Sequence, residues 1–172
     1  DKIVVAGVDK TDLKKGPGHY PETPMPGQLG NSAIAGHRTT FGQPFFDVDK
    51  LENGDEIIVT TLSGRYVYRV TGQQIVSPND YQVISTTDPS RATLTLTSCH
   101  PKYTARERII IFAELDLDAT GHGYLPVLVE DPKHLDVVGR TDLQGDVLSR
   151  ETRQPLELLR EDRRRSLWRV GV

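Results

Sequence analysis

Several features are scarce in this 172-residue sequence, and each scarcity excludes something. It has a single cysteine, Cys99, so no disulfide can form within the chain, and the thiol is buried filler, a reactive group or an intermolecular link. No apolar run approaches the roughly 20 residues of a membrane-spanning helix. The net charge is only −3, so the bulk electrostatics do not indicate nucleic-acid binding.

The two ends of the sequence differ from its middle. It begins at Asp1 without a methionine, a charged leader or an apolar segment, so we expect any signal or anchor of the native protein to lie outside it. The last part, residues 150–172, carries seven arginines against four acidic residues. This basic end is expected to be a solvated extension or packing helix, a cover over a groove of the domain before it, or a contact to anionic lipid or polymers.

The composition favours a β fold. Fifteen glycines and eleven prolines are too many for a helical bundle, and hydrophobic residues make up 36% of the chain. Residues 92–99 alternate strictly, with Leu94 and Leu96 on one face and threonines plus Cys99 on the other, which we call the threonine face. Residues 57–61 and 66–70 indicate a hairpin, and residues 108–115 a β-branched strand. Six to eight strands predict an antiparallel or mixed barrel.

The remaining segments complete the expected organisation. The proline-rich stretch 12–31 predicts an ordered surface loop, and Gly36 predicts a close backbone approach. Residues 45–51 are expected to form about two turns of helix. We expect a barrel domain over residues 1–118 and an extension over 119–172, with a strand at 124–129 and a helix at 152–169.

His37, Cys99 and Arg108 are the candidate catalytic residues. Each lies where a strand meets a loop rich in glycine or proline, a place where a side chain is held while staying open to substrate. A thiol attacks as thiolate and needs a neighbour that favours the anion, and the oxyanion it creates needs a positive group or N–H donor. Arg106 shares a strand face with Arg108, so spacing alone does not choose between them.

Cys99 could also be a structural residue without a catalytic role. Free cysteine is among the most buried residue types, and a lone cysteine at a strand end is commonly structural. Cys99 nevertheless falls on the threonine face, opposite the two leucines, which argues against the core. From the residues alone, a thiol enzyme and a structural cysteine remain open.

Several motifs, in order, resemble the sortase family. The segment Thr95–Pro101 (TLTSCHP) followed by Arg108 is similar to the sortase signature TLxTC with its downstream arginine, and Ala35–Arg38 (AGHR) to the segment with the sortase histidine. Further motifs are similar to class E sortases of actinobacteria: Gly18–Pro21 (GHYP), Pro26–Gly27, Gly30–Asn31 and His37–Gly42 (HRTTFG). The resemblance runs from about Ile3 to Leu115.

This resemblance implies a fold and a reaction. The fold would be mainly β, a closed eight-stranded sortase-type barrel with short helices and a C-terminal extension. Cys99 would cleave a sorting motif, LAxTG in class E or LPxTG in most others, between Thr and Gly and keep the acyl group as a thioester. His37 would protonate the leaving amine and deprotonate the incoming one, and Arg108 would hold the substrate backbone and the oxyanion.

The resemblance also implies partners, substrate contacts and a location. Tyr20, Thr97 and Ser98 would contact substrate, Ser98 standing where the motif usually has threonine. The partners would be surface proteins with a sorting signal and a peptidoglycan or lipid II amine. The native precursor would be membrane-anchored, with its enzyme domain on the outer face of the membrane.

Other histidines and acidic residues are expected to have no catalytic or metal role. No cluster has metal-ligand spacing, and the acidic stretch 47–52 lacks the glycine and terminal glutamate of a calcium loop, so no metal or cofactor is predicted. The remaining histidines are expected in loops or on the surface: His19, His100, His122 and His134.

Two other functions remain as alternatives. One is a pilin-polymerising sortase that uses a protein lysine as acceptor; the Asp-Pro-Trp lid motif frequent in such enzymes is absent from the sequence. The other is a catalytically silent sortase-like binding module, which the joint presence of His37, Cys99 and Arg108 disfavours.

Overall fold

The chain folds into a curled β-sheet with a few short helices. The computed structural model describes residues 2–120 and the backbone of residues 168–171. Within residues 2–120, no helix has the length and apolarity needed to cross a bilayer. The elements are β1 (Lys2–Ala6), α1 (Lys10–Leu13), β2 (Gly18–His19), β3 (Gly30–Ala35), a 3-10 turn (Val48–Lys50), β4 (Glu56–Thr61), β5 (Gly64–Val76), a second 3-10 turn (Tyr81–Ile84), β6 (Ala92–His100), β7 (Glu107–Leu115), α2 (Leu117–Thr120) and β8 (Trp168–Gly171).

Seven strands from residues 2–115 form a half-barrel in the order β1-β2-β3-β6-β7-β5-β4. The short strand β8 pairs with both edges, β1 and β4. The expectation of a mainly β fold with short helices is correct. The expectation that residues 1–118 close an eight-stranded barrel by themselves is wrong, because β1 and β4 meet only through a strand that comes from far along the chain.

The extension is largely outside the described residues. The strand expected at 124–129 and most of the helix expected at 152–169 lie there, as do His122 and His134, and the domain boundary at 118/119 stays a prediction. Trp168 and Arg169, which the expected helix included, lie in β8. Pairing with two distant edge strands has no signature in local periodicity, so the sequence pattern did not indicate it.

Strand β6 is the centre of the sheet that carries the candidate site. It pairs in parallel with β3 and antiparallel with β7. The predicted alternation is confirmed, since Leu94 and Leu96 are fully buried in the core, where they join Ile109 and Ile111 of β7. Because the inner face is committed to the core, the threonine face is the one that can meet a ligand.

Two predicted elements differ in extent from those observed. The strand expected at 66–70 is part of a longer strand, β5, which runs from Gly64 to Val76 and whose register against β7 shifts between Val70 and Gly72, as at a β-bulge. The helix expected at 45–51 shrinks to a 3-10 turn. Its first residues are held elsewhere, because the Phe45 N–H donates to the His37 carbonyl and the Phe46 carbonyl accepts from Arg38.

The proline-rich segment is an ordered loop, as predicted, and Gly27 anchors it to the sheet. The Gly27 N–H donates to the hydroxyl of Tyr68 at 2.7 Å. Gly27 has φ +86°, and a Cβ there would lie 2.3 Å from the Tyr66 ring, so only glycine fits. His19, expected in a loop or on the surface, instead lies in β2 and is buried, and its Nε2 lies 3.0 Å from the Pro24 carbonyl oxygen.

Candidate active site

The single thiol lies at the open end of β6. Cys99 is the penultimate residue of the strand, is unpaired as a disulfide, and is partly exposed. Its neighbour Ser98 points the other way and is 3% exposed. The sulfur is thus on the threonine face, as the alternation predicts, and solvent reaches its residue.

Arg108 is the direct cross-strand partner of Cys99. The antiparallel register of β6 and β7 pairs the two residues, and side chains paired in this way share a face with Cβ atoms about 5 Å apart. The Arg108 Nη1 donates to the carbonyls of Ala105 (3.2 Å) and Glu107 (2.9 Å). Arg106 lies before β7, in the exposed connection, so register separates the two arginines that spacing left undecided.

His37 follows β3 at the level of Cys99. The last pair in the parallel ladder of β3 and β6 is Ala35 with Thr97, and continuing this register by two positions sets His37 beside Cys99. The Gly36 N–H donates to the Thr97 carbonyl at 3.0 Å, which carries the pairing one residue further. The histidine, the cysteine and the arginine therefore come from three adjacent chain segments, in that order.

Gly36 permits this arrangement through a close approach to its backbone, as the sequence predicts. A Cβ on Gly36 would lie 2.5 Å from the ring of Phe45, so the ring packs directly on the backbone. Its carbonyl accepts a hydrogen bond from the Ser98 hydroxyl at 2.8 Å. The residues that precede His37 and Cys99 are thus bonded to one another.

The His37 imidazole is partly covered and has no hydrogen-bond partner at Nε2 among residues 2–120. The ring of Phe41 lies 4.9 Å from it, centroid to centroid. Phe41, Gly42 and Gln43 all have positive φ, a strained turn that holds Phe41 against the imidazole. Burial lowers the pKa of His37 from its ordinary value, because the covered ring loses hydration in its charged form.

The three expected substrate contacts differ in how their hydroxyl groups are used. The Tyr20 hydroxyl lies 3.5 Å from the Thr97 hydroxyl, so the proline-rich loop reaches β6 two residues before Cys99. Ser98 instead donates inward to Gly36, and its hydroxyl hydrogen is already committed. Tyr20 and Thr97 are at the site, and the substrate role of all three stays a prediction.

Sequence reasoning missed the role of Arg38. This residue is 2% exposed, and its guanidinium contacts the backbone carbonyls of Phe46 and Cys99 and the carboxylate of Asp49. The acidic stretch 47–52, considered only as a failed calcium loop, thus supplies an ion-pair partner. Available signals were an arginine directly after the candidate histidine and an aspartate eleven positions later.

A cavity of about 640 Å³ lies away from the candidate catalytic residues. It is found towards the start of β6 and is lined by Thr93 and Thr95 together with Arg91, Phe112 and Glu114, among others. None of His37, Cys99 and Arg108 lines it. This cavity is therefore not the candidate active site, which lies at the opposite end of β6.

The described residues do not form a metal site. In residues 2–120, no three His, Cys, Asp or Glu side chains lie close enough together to hold a metal ion. The residues gathered at the end of β6 are instead a thiol, an imidazole and a guanidinium, which suit a nucleophile, a proton carrier and an anion-binding group.

Comparison with known proteins shows which family the chain resembles. Residues 1–116 match the family model described as a sortase domain. Sortase SrtE1 of Streptomyces coelicolor is 36% identical over 111 residues, which cover 57% of this chain and 31% of that protein. Sortase D of Bacillus subtilis is 34% identical over 98 residues, covering 57% of this chain and 48% of that one. The chain thus spans less than half the length of either relative.

Solved structures give the same match at the level of the fold. The structure of sortase E from Streptomyces avermitilis superposes with a TM-score of 0.56 at 38% identity, covering 67% of this chain and 78% of that one. A sortase D5 transpeptidase of Clostridium perfringens superposes with a TM-score of 0.61 at 31% identity, covering 67% and 77%.

Proposed function

The chain belongs to the sortase family, whose members are cysteine transpeptidases, and on this premise we propose that it cleaves a sorting motif of the LAxTG or LPxTG type between Thr and Gly. Cys99 would be the nucleophile, Arg108 the anion-binding group and His37 the proton carrier. The observation that carries the proposal is the row of three chain segments, in which Cys99 pairs directly with Arg108 and His37 comes two residues after the last pair of β3 and β6, Ala35 with Thr97.

The first half of the reaction forms a thioester. The Cys99 thiolate attacks the threonyl carbonyl carbon, and the carbonyl oxygen becomes an oxyanion that the Arg108 guanidinium stabilises. As the C–N bond breaks, the imidazolium of His37 gives its proton to the departing glycyl amine. Burial, which lowers the pKa of His37, makes its charged form a stronger acid for this step.

The second half transfers the acyl group to an amine. An amine of peptidoglycan or lipid II attacks the thioester, neutral His37 takes the proton, and the thiolate of Cys99 leaves. Burial favours the neutral form of the imidazole, which is the form that can accept this proton. Because one group both gives and takes the proton, each complete cycle returns the site to its starting state.

The substrate class is proposed with the relatives in mind. Similarity to class E sortases supports an alanine at the second motif position, and Tyr20, whose hydroxyl approaches β6 near Cys99, is the proposed contact for that part of the motif. We place the native enzyme on the outer face of the membrane, held by an anchor, where surface proteins with sorting signals meet cell-wall amines.

Fluorogenic peptides test the proposal. Purified enzyme is incubated with LAxTG and LPxTG peptides, with and without an added amine, beside Cys99→Ala. We expect cleavage by the wild type, amine incorporation into the product, and loss of at least about a thousandfold in the variant, because the covalent route disappears. Turnover retained by Cys99→Ala would remove the nucleophile assignment, and no cleavage of any peptide by the wild type would favour a silent binding module.

A further inference from the structure

Arg38 has its charged group sealed inside the protein beside the candidate site. It directly follows His37, and only 2% of its surface is exposed. Arginine is seldom buried unless its guanidinium is paired. Here the pairing is extensive: Nε donates to the Phe46 carbonyl (2.8 Å), Nη1 to the Cys99 carbonyl (3.4 Å), and Nη2 lies 2.7 Å from Asp49 Oδ1.

The three partners belong to two different segments. Phe46 and Asp49 lie in the segment that begins at His37, whereas Cys99 lies on β6, sixty-one residues after Arg38. A guanidinium is a flat, rigid fork with several donors, so it fixes the relative positions of the groups it joins better than a flexible ammonium does. Arg38 therefore cross-links the loop that carries the histidine to the backbone of the residue that carries the thiol.

A third segment joins through Lys102, which lies in the connection between β6 and β7. Its Nζ is 3.7 Å from Asp49 Oδ1 and 3.5 Å from Asp47 Oδ1, and 4.1 Å from the centre of the Phe46 ring. The connection that leads from Cys99 to Arg108 is thus held to the same carboxylate and the same aromatic residue as Arg38. The cluster of Arg38, Asp49 and Lys102 ties together all three catalytic segments.

We propose that Arg38 is a positioning residue, which sets the distance between the His37 imidazole and the Cys99 sulfur by holding the Cys99 carbonyl to the histidine loop. The inference rests on the proposed function and names a further residue for it. We do not place Arg38 in contact with substrate, because its guanidinium is buried and its contacts are to Phe46, Cys99 and Asp49. Its effect passes through the backbone of Cys99.

A purely structural arginine is the competing explanation, and Arg69 provides a matched control. Arg69 on β5 also makes three contacts, to Asp116 (2.7 Å), Glu56 (2.9 Å) and the Gly54 carbonyl (3.2 Å), but none of them is to a catalytic segment. Replacing Arg69 with methionine removes the same number of contacts, although the Arg69 side chain is 45% exposed and that of Arg38 only 1%. The variant therefore controls for the loss of an arginine and its ion pairs, and unfolding in urea measures the general loss of stability in each variant.

The test compares Arg38→Met, Arg38→Lys and Arg69→Met under conditions in which circular dichroism shows each to be folded. Two readouts are used: kcat and KM with a cleaved sorting peptide, and the rate of Cys99 alkylation by iodoacetamide, which needs no substrate. For Arg38→Met we expect kcat to fall about 10- to 100-fold with KM changed less than about twofold, since misplacement of reacting groups acts mainly on the chemical step. Alkylation should slow about threefold or more.

The other variants sharpen the result. Arg38→Lys should recover part of kcat, because an ammonium keeps the charge but reaches fewer acceptors at once. Arg69→Met should stay within about twofold of wild type in both readouts. If Arg38→Met does not fold, Arg38→Lys and Asp49→Asn take its place, each with a loss of several-fold expected.

Equal behaviour of the Arg38 variants and Arg69→Met, in kcat and in alkylation, would overturn the inference, and so would a change confined to KM. Failure of the proposed function looks different: the wild type would cleave no sorting peptide. The alkylation rates would then still decide whether Arg38 positions Cys99.

Discussion

The two ends of β6 treat their polar groups in opposite ways on the same face. At its start, the hydroxyls of Thr93 and Thr95 both donate to the Asn31 side-chain oxygen, at 3.1 and 2.9 Å. At its end, Cys99 is partly exposed and the covered Nε2 of His37 has no partner within residues 2–120. The start of β6 thus carries hydroxyl groups that are hydrogen-bonded within the protein. Its end carries a partly exposed thiol beside an imidazole nitrogen that has no hydrogen-bond partner in the described part of the chain.

This difference separates folding from chemistry. Buried polar groups normally find hydrogen-bond partners, and a closed network rigidifies the region around it. A buried polar group without a partner lowers the stability of the protein, but its proton or lone pair stays available to another molecule. We therefore expect substitutions at the start of β6 to change stability and substitutions at its end to change the reaction.

The largest effect is expected at the open end, from Arg108→Ala. Loss of the group proposed to stabilise the oxyanion should lower kcat/KM about 100- to 1000-fold, measured with the peptide cleaved by the wild type. Arg106→Ala, two positions earlier in the exposed connection, should stay within about twofold. An equal loss in both variants would contradict the pairing of Cys99 with Arg108 as the basis of the reaction.

At the closed end, Asn31→Ala should affect stability. It removes the acceptor shared by Thr93 and Thr95, so we expect the free energy of unfolding in urea to fall by about 1–3 kcal/mol, with kcat unchanged for the folded enzyme. Thr93→Val, which removes one donor, should lose less. A parallel drop in kcat would show that the two ends are coupled, contrary to the comparison.

The pH dependence of stability tests two histidines, His19 and His37, which differ in their hydrogen bonds. Burial lowers the pKa of both His19 and His37, for His19 against the opposing effects of the Pro24 carbonyl and of Glu22. The unfolded chain binds these protons near the ordinary pKa of about 6.5, whereas the folded chain resists them until a lower pH. The free energy of unfolding should therefore decrease as pH falls below about 6.5 and level off below the folded pKa values.

Urea unfolding across that pH range provides the measurement. His19→Gln keeps a donor near the position of Nε2 but cannot titrate, so its unfolding should depend less steeply on pH than that of the wild type. An unchanged pH dependence in this variant would contradict the contribution assigned to His19.

The smallest effect is expected from Phe41→Ala. Removing the ring that lies 4.9 Å from the imidazole should hydrate His37 and move its pKa upward towards the ordinary value. The measurement is an NMR titration of the histidine ring protons, with the His19 signal as internal reference. Phe46→Ala, whose ring contacts Lys102, is the control, and an equal shift in it would contradict the role given to Phe41.

The parts of the fold that local patterns specify were predictable. Strands expected at 92–99 and 108–115 are found at Ala92–His100 and Glu107–Leu115, because alternation and β-branched residues report directly on a sheet with one buried face. Gly36 was predicted to mark a close approach, and the Phe45 ring lies against it. The positions of the candidate residues at strand ends followed from these elements.

What depends on distant partners was not predictable. The direct pairing of Arg108 with Cys99 needs the register of two strands, and the role proposed for Arg38 needs a carbonyl sixty-one residues away. His19 was expected in a loop or on the surface, yet it lies in β2, which pairs with β1 and β3, and it is buried. β8 joins two edges that lie far apart in sequence.

The anchoring of Gly27 has a consequence for how quickly a peptide can be captured. The loop that begins after β2 carries Tyr20 and is pinned at Gly27 to the hydroxyl of Tyr68, with the Tyr66 ring filling the space beside it. Its conformational entropy is lost when the chain folds, not when a ligand arrives. Under the proposed function, a peptide that binds beside Tyr20 would meet a loop already in place, and its association would not need to wait for that loop to close.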